Sequence, residues 1–338
     1  MLTGACMGRS GLNRTTSLAT ITLVIAAEIP DLDILWYLRG PISGFAHHRG
    51  FTHTLLGSPL MAALVVLAVY GIHQMQRARG SGGSSPPRWG LLGFYAWLGV
   101  LSHILLDYSN SYGVRPFAPW YPKWFSWDIA FIVEPVMLAA LILGLIASPL
   151  LALVQEEIAG RSPRGPRGRG GAIFALVSLL LVFWVRDFQH RKAVTALQGR
   201  LFGQQEPLRV SAYPYALNPF KWMGVVETAS SFQVMPVNSS PLEIDPDGRA
   251  LTHYKPEESA ASRAAKNSPL GRVYLDWAVY PSLEVQPRSA PEGGYSAQFM
   301  DLRFSYPEGR IGFLGASVEM DRNLNVTEER FGQYAEKY

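Results

Sequence analysis

Four of the chain's seven histidines stand beside apolar windows, in the stretches "HHRGFTH" (residues 47–53) and "SHILLDYSN" (residues 102–110). In the second, His103 and Asp107 are four residues apart and share one face if the segment is helical. An imidazole and a carboxylate on adjacent turns hold one cation, or the carboxylate orients a ligating histidine. A third stretch, "EIPDLDILW", sets Asp31 and Asp33 on either side of one residue after Pro30, which discourages helix at the residue before it. The single cysteine, Cys6, excludes a disulfide within the chain and a cysteine-based zinc site. A metal would therefore be held by His, Asp and Glu, and the candidate ligands are Asp31, Asp33, His48, His53, His103 and Asp107. Such donors suit zinc, with manganese as the alternative, better than copper(I) or an iron–sulfur cluster. Arg49 and Arg115 lie beside these candidates. Arginine is the residue for two-pronged contact with phosphate or carboxylate, although either side chain could simply reach lipid headgroups. Asp128 and Glu134 open a later apolar window, Glu134 about two turns deeper, as a buried partner or an intrahelical hydrogen-bonded carboxyl.

Each feature alone has an ordinary reading: a solvated histidine at a helix end, an Asp pair acting as a cap, a surface His–Asp contact. Their weight comes from the elements that would position them. Charged residues make up only 17% of the chain against about a quarter in ordinary soluble domains, and the deficit is concentrated in five apolar windows. These are residues 16–29, 54–72, 89–106, 129–154 and 171–185. A spanning helix needs about 17–25 residues; the second, third and fourth windows meet that length, and the other two are plausible within a bundle. The first window also resembles a signal peptide, an alternative weakened by the acidic cluster that follows it.

Two basic Gly/Pro-rich loops, residues 76–88 and 160–171, separate the windows. They read as cytoplasmic loops obeying the positive-inside rule, and no nucleic-acid partner is implied. With both loops inside, Asp31, Asp33, His48, His53, His103 and Asp107 all reach the external face, marked by Trp36, Trp120, Trp124 and Trp127 as an aromatic belt. Arg186, Arg191 and Lys192, directly after the last window, pull the other way. Ionisable groups held at membrane depth are costly and tend to be functional.

The expected architecture is an α-helical integral membrane domain of about five spans, residues 1–190, followed by a small β-rich soluble domain, residues 191–338. Beyond residue 198, short segments such as "RVSAYPYAL", "WMGVVETA", "SFQVMPV", "RVYLDWAVYPSLEVQ", "AQFMDLRFSY" and "GFLGASVEM" read as strands, and "PEESAASRAAK" as a short helix. The chain shows no internal repeat.

Taken together, "PDLD" (residues 30–33), "HRGFTH" (residues 48–53) and "HILLDYSNSYG" (residues 103–113) resemble the marks of the YdjM/YbcI-type family of membrane-bound, metal-dependent hydrolases. The resemblance covers roughly residues 1–190, and the tail is similar to that of a longer subgroup. It implies an inner-membrane hydrolase acting on a phosphoester or lipid-like ester through metal-activated water. His48, His53, His103, Asp31 and Asp107 would be ligands, Asp33 a ligand or general base, and Arg49 and Arg115 anion contacts. The implied partner is membrane lipid, with the site and the C-terminal domain extracytoplasmic. The alternatives are a non-catalytic membrane protein whose metal is structural and whose β domain binds a partner, and a transporter. One departure stands out. Family members usually carry a Thr-His just before a "TGA" like that of residues 3–5, and this chain opens "MLTGACMGRSG" without it. Either the start lies further upstream or this site has lost a ligand; in the first case a short helix rich in small residues (Gly4, Ala5, Gly8, Gly11) would precede Asn13.

Overall fold

A computed structural model describes residues 1–80, 86–159, 168–289, 293–307, 314–332 and 334–337. Residues 81–85 of the first basic loop and 160–167 of the second lie outside the described residues. The chain divides into two compact units: Met1–Asp33 with Arg49–Val185, and Ile34–His48 with Arg186–Tyr338. Its helices in chain order are α1 (Leu2–Arg9), α2 (Ala19–Ala26), α3 (Pro41–His47), α4 (Gly57–Ala78), α5 (Trp89–Ser109), α6 (Pro135–Ala159) and α7 (Arg169–Gln198), followed in the second unit by α8 (Ala260–Asn267) and α9 (Pro269–Trp277). The division between units falls within α7.

Three helices, α4, α5 and α7, are long and apolar enough to cross a membrane among the described residues, and α6 carries the shorter apolar stretch Pro135–Ala147. About five such helices were expected, and the described residues do not confirm that count. The first window is one reason. Its helix, α2, has eight residues and is therefore about 12 Å long, too short to span. It instead pairs with α1, whose Gly4 lies so close to α2 that an added Cβ would sit 2.2 Å from the Leu23 carbonyl oxygen. Helix α2 then packs on α4 and α5, while Cys6 of α1 is buried with Leu141 and Leu145 of α6 and Ala172 and Ala175 of α7. Ala26 of α2, Met61, Ala62, Val65 and Val69 of α4, and Ala96, Val100 and Ile104 of α5 form one buried cluster. The opposite side of α4 presents exposed Leu60, Leu64 and Leu67, the surface a helix offers to lipid.

The second unit holds two five-stranded antiparallel sheets. The first contains β1 (Arg209–Pro214), β2 (Lys221–Glu227), β3 (Ser231–Ser239) and β4 (Leu242–Ile244) in sequential order, with β5 (Leu251–Tyr254) also paired to β3. Helices α8 (Ala260–Asn267) and α9 (Pro269–Trp277) follow. The second sheet runs in order β10 (Tyr334–Lys337), β9 (Val326–Phe331), β8 (Ala316–Met320), β7 (Tyr295–Asp301), β6 (Pro281–Pro287). Ala193 and Leu197 from the last turns of α7 join the buried cluster of Trp222, Val226, Met235 and Val237 on the first sheet.

One expected strand is half helix. Arg272–Trp277 of "RVYLDWAVYPSLEVQ" lies in α9, and β6 begins only at Pro281. Ser268 caps the helix by accepting from the Gly271 N–H, Pro269 occupies its first turn, and Leu270, Tyr274 and Trp277 are buried at helical spacing. Start signals of that kind outweigh the β propensity of Val, Tyr and Trp.

Candidate metal centre

Three local structures deliver the side chains, and the four residues that come together all belong to the first unit. After α2 ends, the chain tightens into a 3₁₀ helix, Ile29–Arg39, where Pro30 cannot donate and the Asp31 N–H bonds the Glu28 carbonyl at 3.1 Å. A second 3₁₀ turn, Phe51–His53, precedes α4. It is closed by the His53 N–H to the Gly50 carbonyl at 3.0 Å, and the Thr54 hydroxyl accepts from the Gly57 N–H at 2.7 Å. His103 and Asp107 lie on successive turns of α5.

Asp31, His53, His103 and Asp107 each turn one donor atom toward a common point, all four atoms lying within 4.8 Å of one another. The His53 Nε2–His103 Nε2 distance is 3.2 Å. His53 Nε2 lies 3.6 Å from Asp31 Oδ1 and 3.2 Å from Asp107 Oδ2; for His103 Nε2 the corresponding distances are 3.4 and 3.5 Å. A tetrahedral ion bound at about 2.0–2.2 Å sets its donors roughly 3.3–3.6 Å apart, since the edge of a tetrahedron is about 1.63 times its radius. The five distances, 3.2–3.6 Å, lie at or just under that edge length, and the sixth, between the two carboxylates, is within 4.8 Å, so these residues fit a four-coordinate divalent cation of roughly tetrahedral shape.

The far sides of both imidazoles are held as well. His103 Nδ1 donates to the Ala27 carbonyl at 2.9 Å. His53 Nδ1 lies 3.3 Å from Asp33 Oδ2 and 3.0 Å from the Thr52 hydroxyl. With Nδ1 acting as donor, each ring presents the Nε2 lone pair inward, the arrangement that fixes the tautomer of a ligating histidine. Without a cation, burial works against a charge on His53, but hydrogen bonds to Asp107, Asp31 and Asp33 outweigh it and raise its pKa to about 9. Burial likewise opposes ionisation of Asp31, and the hydrogen bonds from His103 and His53 hold its carboxyl well below the usual range.

Two expected ligands are not in the set. The Asp33 carboxylate accepts from the Arg49 N–H at 2.6 Å and faces the Nδ1 side of His53, so it supports a ligand from behind. His48 follows the last residue of α3, its N–H bonded to the Gly44 carbonyl at 2.9 Å, and belongs to the segment Ile34–His48 of the second unit. Arg49 is buried, with its guanidinium on Asp107 Oδ1 at 3.0 Å. The Arg115 guanidinium stacks 4.6 Å above the Trp124 ring. Glu134 is buried beside the start of α6, and its carboxylate accepts from the Phe131 N–H at 3.3 Å, a turn-closing role. Asp128 adopts a left-handed backbone, φ 58°. Spacing alone did not reveal the Ala27 carbonyl, because a backbone group leaves no mark in a sequence. Asn110, Tyr112 and Gly113 were visible as part of a motif but carried no assigned task.

Residues 1–193 match the family model described as YdjM inner membrane protein. The chain is also similar, at 21% identity over 317 residues, to the uncharacterized protein YfhP of Bacillus subtilis (strain 168), covering 92% of this chain and 84% of that protein. No solved structure matches. Since the match takes in more than half of its length, the chain belongs to the YdjM inner membrane protein family.

Proposed function

We propose that this protein is an integral-membrane, metal-dependent hydrolase that cleaves a phosphoester or lipid-like ester at the membrane surface. The observation that carries the reading is the tetrahedral spacing of Asp31, His53, His103 and Asp107. Zinc is the ion that spacing suits, with manganese second. A divalent ion held there would supply Lewis acidity toward an ester oxygen and acidify water.

The protein's own groups divide the remaining work. The Asp31 side chain is 51% exposed, which makes its edge the open side of the site, where a substrate arrives. Leu32, Phe51, Leu55 and Leu56 near that edge in sequence are exposed apolar residues, fitting an amphiphilic substrate whose head reaches the site while its chains stay in lipid. Arg115 is the candidate contact for a substrate anion. The arginine-rich loops favour a cytoplasmic location for themselves, and hence an extracytoplasmic one for the site and the β-rich unit.

One observation favours the non-catalytic alternative. Four protein donors complete a tetrahedral shell, as structural zinc sites do, whereas catalytic zinc usually keeps one position open. The exposure of Asp31 is what tips the balance: this carboxylate can be displaced by substrate. The test is to measure bound metal and hydrolysis of a phospholipid and soluble phosphodiester panel for wild type, His103→Ala and Asp107→Ala. The hydrolase reading expects metal content and activity to fall together. Full zinc occupancy in the wild type with no ester cleaved would leave the ion as a structural tie and end the enzymatic reading.

A further inference from the structure

A guanidinium beside a cation site is unexpected, because like charges repel in a low-dielectric setting. Arg49 nonetheless comes within one carboxylate of the four donors and is 7% exposed. Its Nη2 donates to Asp107 Oδ1 at 3.0 Å. Its Nη1 donates to the Asp107 carbonyl at 3.2 Å, to Asn110 Oδ1 at 3.1 Å and to the Gly113 carbonyl at 3.0 Å. The Tyr112 ring lies beneath the guanidinium at 4.7 Å. Asn110 Oδ1 also accepts from the Tyr112 N–H at 2.9 Å, and Gly113 sits at φ 83°, packed so that a Cβ would meet the Phe125 carbonyl oxygen at 2.9 Å. The Asn-Ser-Tyr-Gly turn after α5 is thus a cradle built around one arginine.

That cradle divides the two oxygens of Asp107. Oδ1 belongs to Arg49, and Oδ2 alone faces His53 and His103, at 3.2 and 3.5 Å. For the carboxylate to offer both oxygens to an ion it would have to leave the guanidinium. Zinc is satisfied by four donors at the observed spacing, one from each residue. Manganese prefers six, mostly oxygens, and gains most from a carboxylate free to rotate or bind through both atoms.

Building on the metal reading above, we infer that Arg49 is the residue that sets the metal preference of this site: by pinning Asp107 Oδ1 it confines the carboxylate to one-oxygen coordination and favours zinc over manganese. It acts through Asp107 and is a positioning residue.

The test uses the full chain in detergent, stripped with chelator, with Zn²⁺ and Mn²⁺ affinities measured by competition against an indicator. The variants are Arg49→Gln, Arg49→Lys and Asn110→Ala. Losing a group that orients a ligand costs about 10–100-fold in metal affinity. Arg49→Gln should lose that factor for Zn²⁺ and much less for Mn²⁺, so the Zn²⁺:Mn²⁺ ratio collapses. Arg49→Lys keeps the charge without the planar fork and should fall between. Asn110→Ala leaves the arginine in place but loosens it, and should move the ratio the same way by less. If Arg49→Gln fails to fold, judged by melting of the metal-free protein, the other two variants decide. Equal losses for both ions, or an unmoved ratio, would reduce Arg49 to a fold contact and overturn the inference while leaving the metal reading intact. Failure of the wild type to bind either ion would bring down both.

Discussion

Protons and a cation compete for the same four donors. In the metal-free protein His53 keeps its proton up to about pH 9, so metal uptake must release protons and strengthen as pH rises. The effect on stability has a definite sign. The folded pKa of His53 lies above its ordinary 6.5, so its contribution to the metal-free fold is complete below about pH 6.5 and disappears as pH rises through about 9. The melting temperature of metal-free protein should therefore fall across that interval, while the gap between zinc-loaded and metal-free protein widens. A gap constant across the interval would mean that His53 is not a ligand. Asp33→Asn should cost about 10–100-fold in zinc affinity, because the amide no longer supplies a carboxylate behind His53 Nδ1; calorimetric titration reads this directly. Part of this was legible in the sequence. His103 and Asp107 declare themselves by spacing, since α5 continues through both. The choice between Asp31 and Asp33 does not, because it depends on how tightly the Ile29–Arg39 segment winds. The partner of Arg49 was also hidden: a cation beside candidate ligands reads as an anion holder, and Asp107 lies 58 residues away.

At the level of elements, the site depends on a helix too short to have been identified by span length. The His103 imidazole is tethered to the Ala27 carbonyl, at the end of α2, and α2 is held in part by α1 through Gly4. Gly4→Leu must push α1 off the Leu23 backbone, and overpacking of this kind costs about 1–3 kcal/mol. It should also weaken zinc binding, although Gly4 touches no ligand, because the Ala27 carbonyl shifts with α2. Gly71→Ala, on α4 with nothing within 4 Å of its Cβ, is the control: it should leave zinc affinity unchanged and hold or slightly raise the melting temperature. A Gly4→Leu protein that melts lower yet binds zinc as tightly as wild type would show that α1 supports the fold but not the site. Long apolar runs made α4 and α5 visible in advance, since a membrane leaves few other uses for such composition, whereas α7 looked short because its apolar run of residues 171–185 continues as a more polar helix to Gln198. Windows that end as half-length helices leave no comparable trace, because hydropathy records how apolar a segment is and not where its backbone turns. The Arg272–Trp277 helix was missed for a related reason: β-prone side chains concealed a start signal, Ser268-Pro269, that packing then rewarded.

Across the whole molecule, the compact units do not follow chain order. The segment Ile34–His48 departs between two parts of the site, immediately after Asp33, and returns at Arg49. Within the second unit, Phe45 of this segment is buried against Phe331 (ring centroids 4.0 Å apart), Trp277 (5.4 Å) and Tyr274 (6.1 Å). Sequence composition could separate an apolar half from a β-rich half, but not reveal that fifteen residues from the first half complete the core of the second. All four donors nevertheless remain in the first unit, and the excursion closes on itself, since the Arg49 N–H reaches Asp33 Oδ2 at 2.6 Å. A short Gly/Ser linker, flexible and compliant, can therefore replace Ile34–His48. The expected outcome is that a protein made of residues 1–33, such a linker and residues 49–185 folds in detergent and binds zinc with near wild-type affinity. Residues 1–185 with the native segment retained should aggregate, because Phe45 and its neighbours lose their partners. In the full chain, Phe45→Ala should lower the stability of the β-rich unit by about 3–5 kcal/mol and leave zinc affinity unchanged, as read by limited proteolysis and titration. If the linker protein is helical by circular dichroism but takes up no zinc, the second unit contributes to the site, and the four donors alone do not make it.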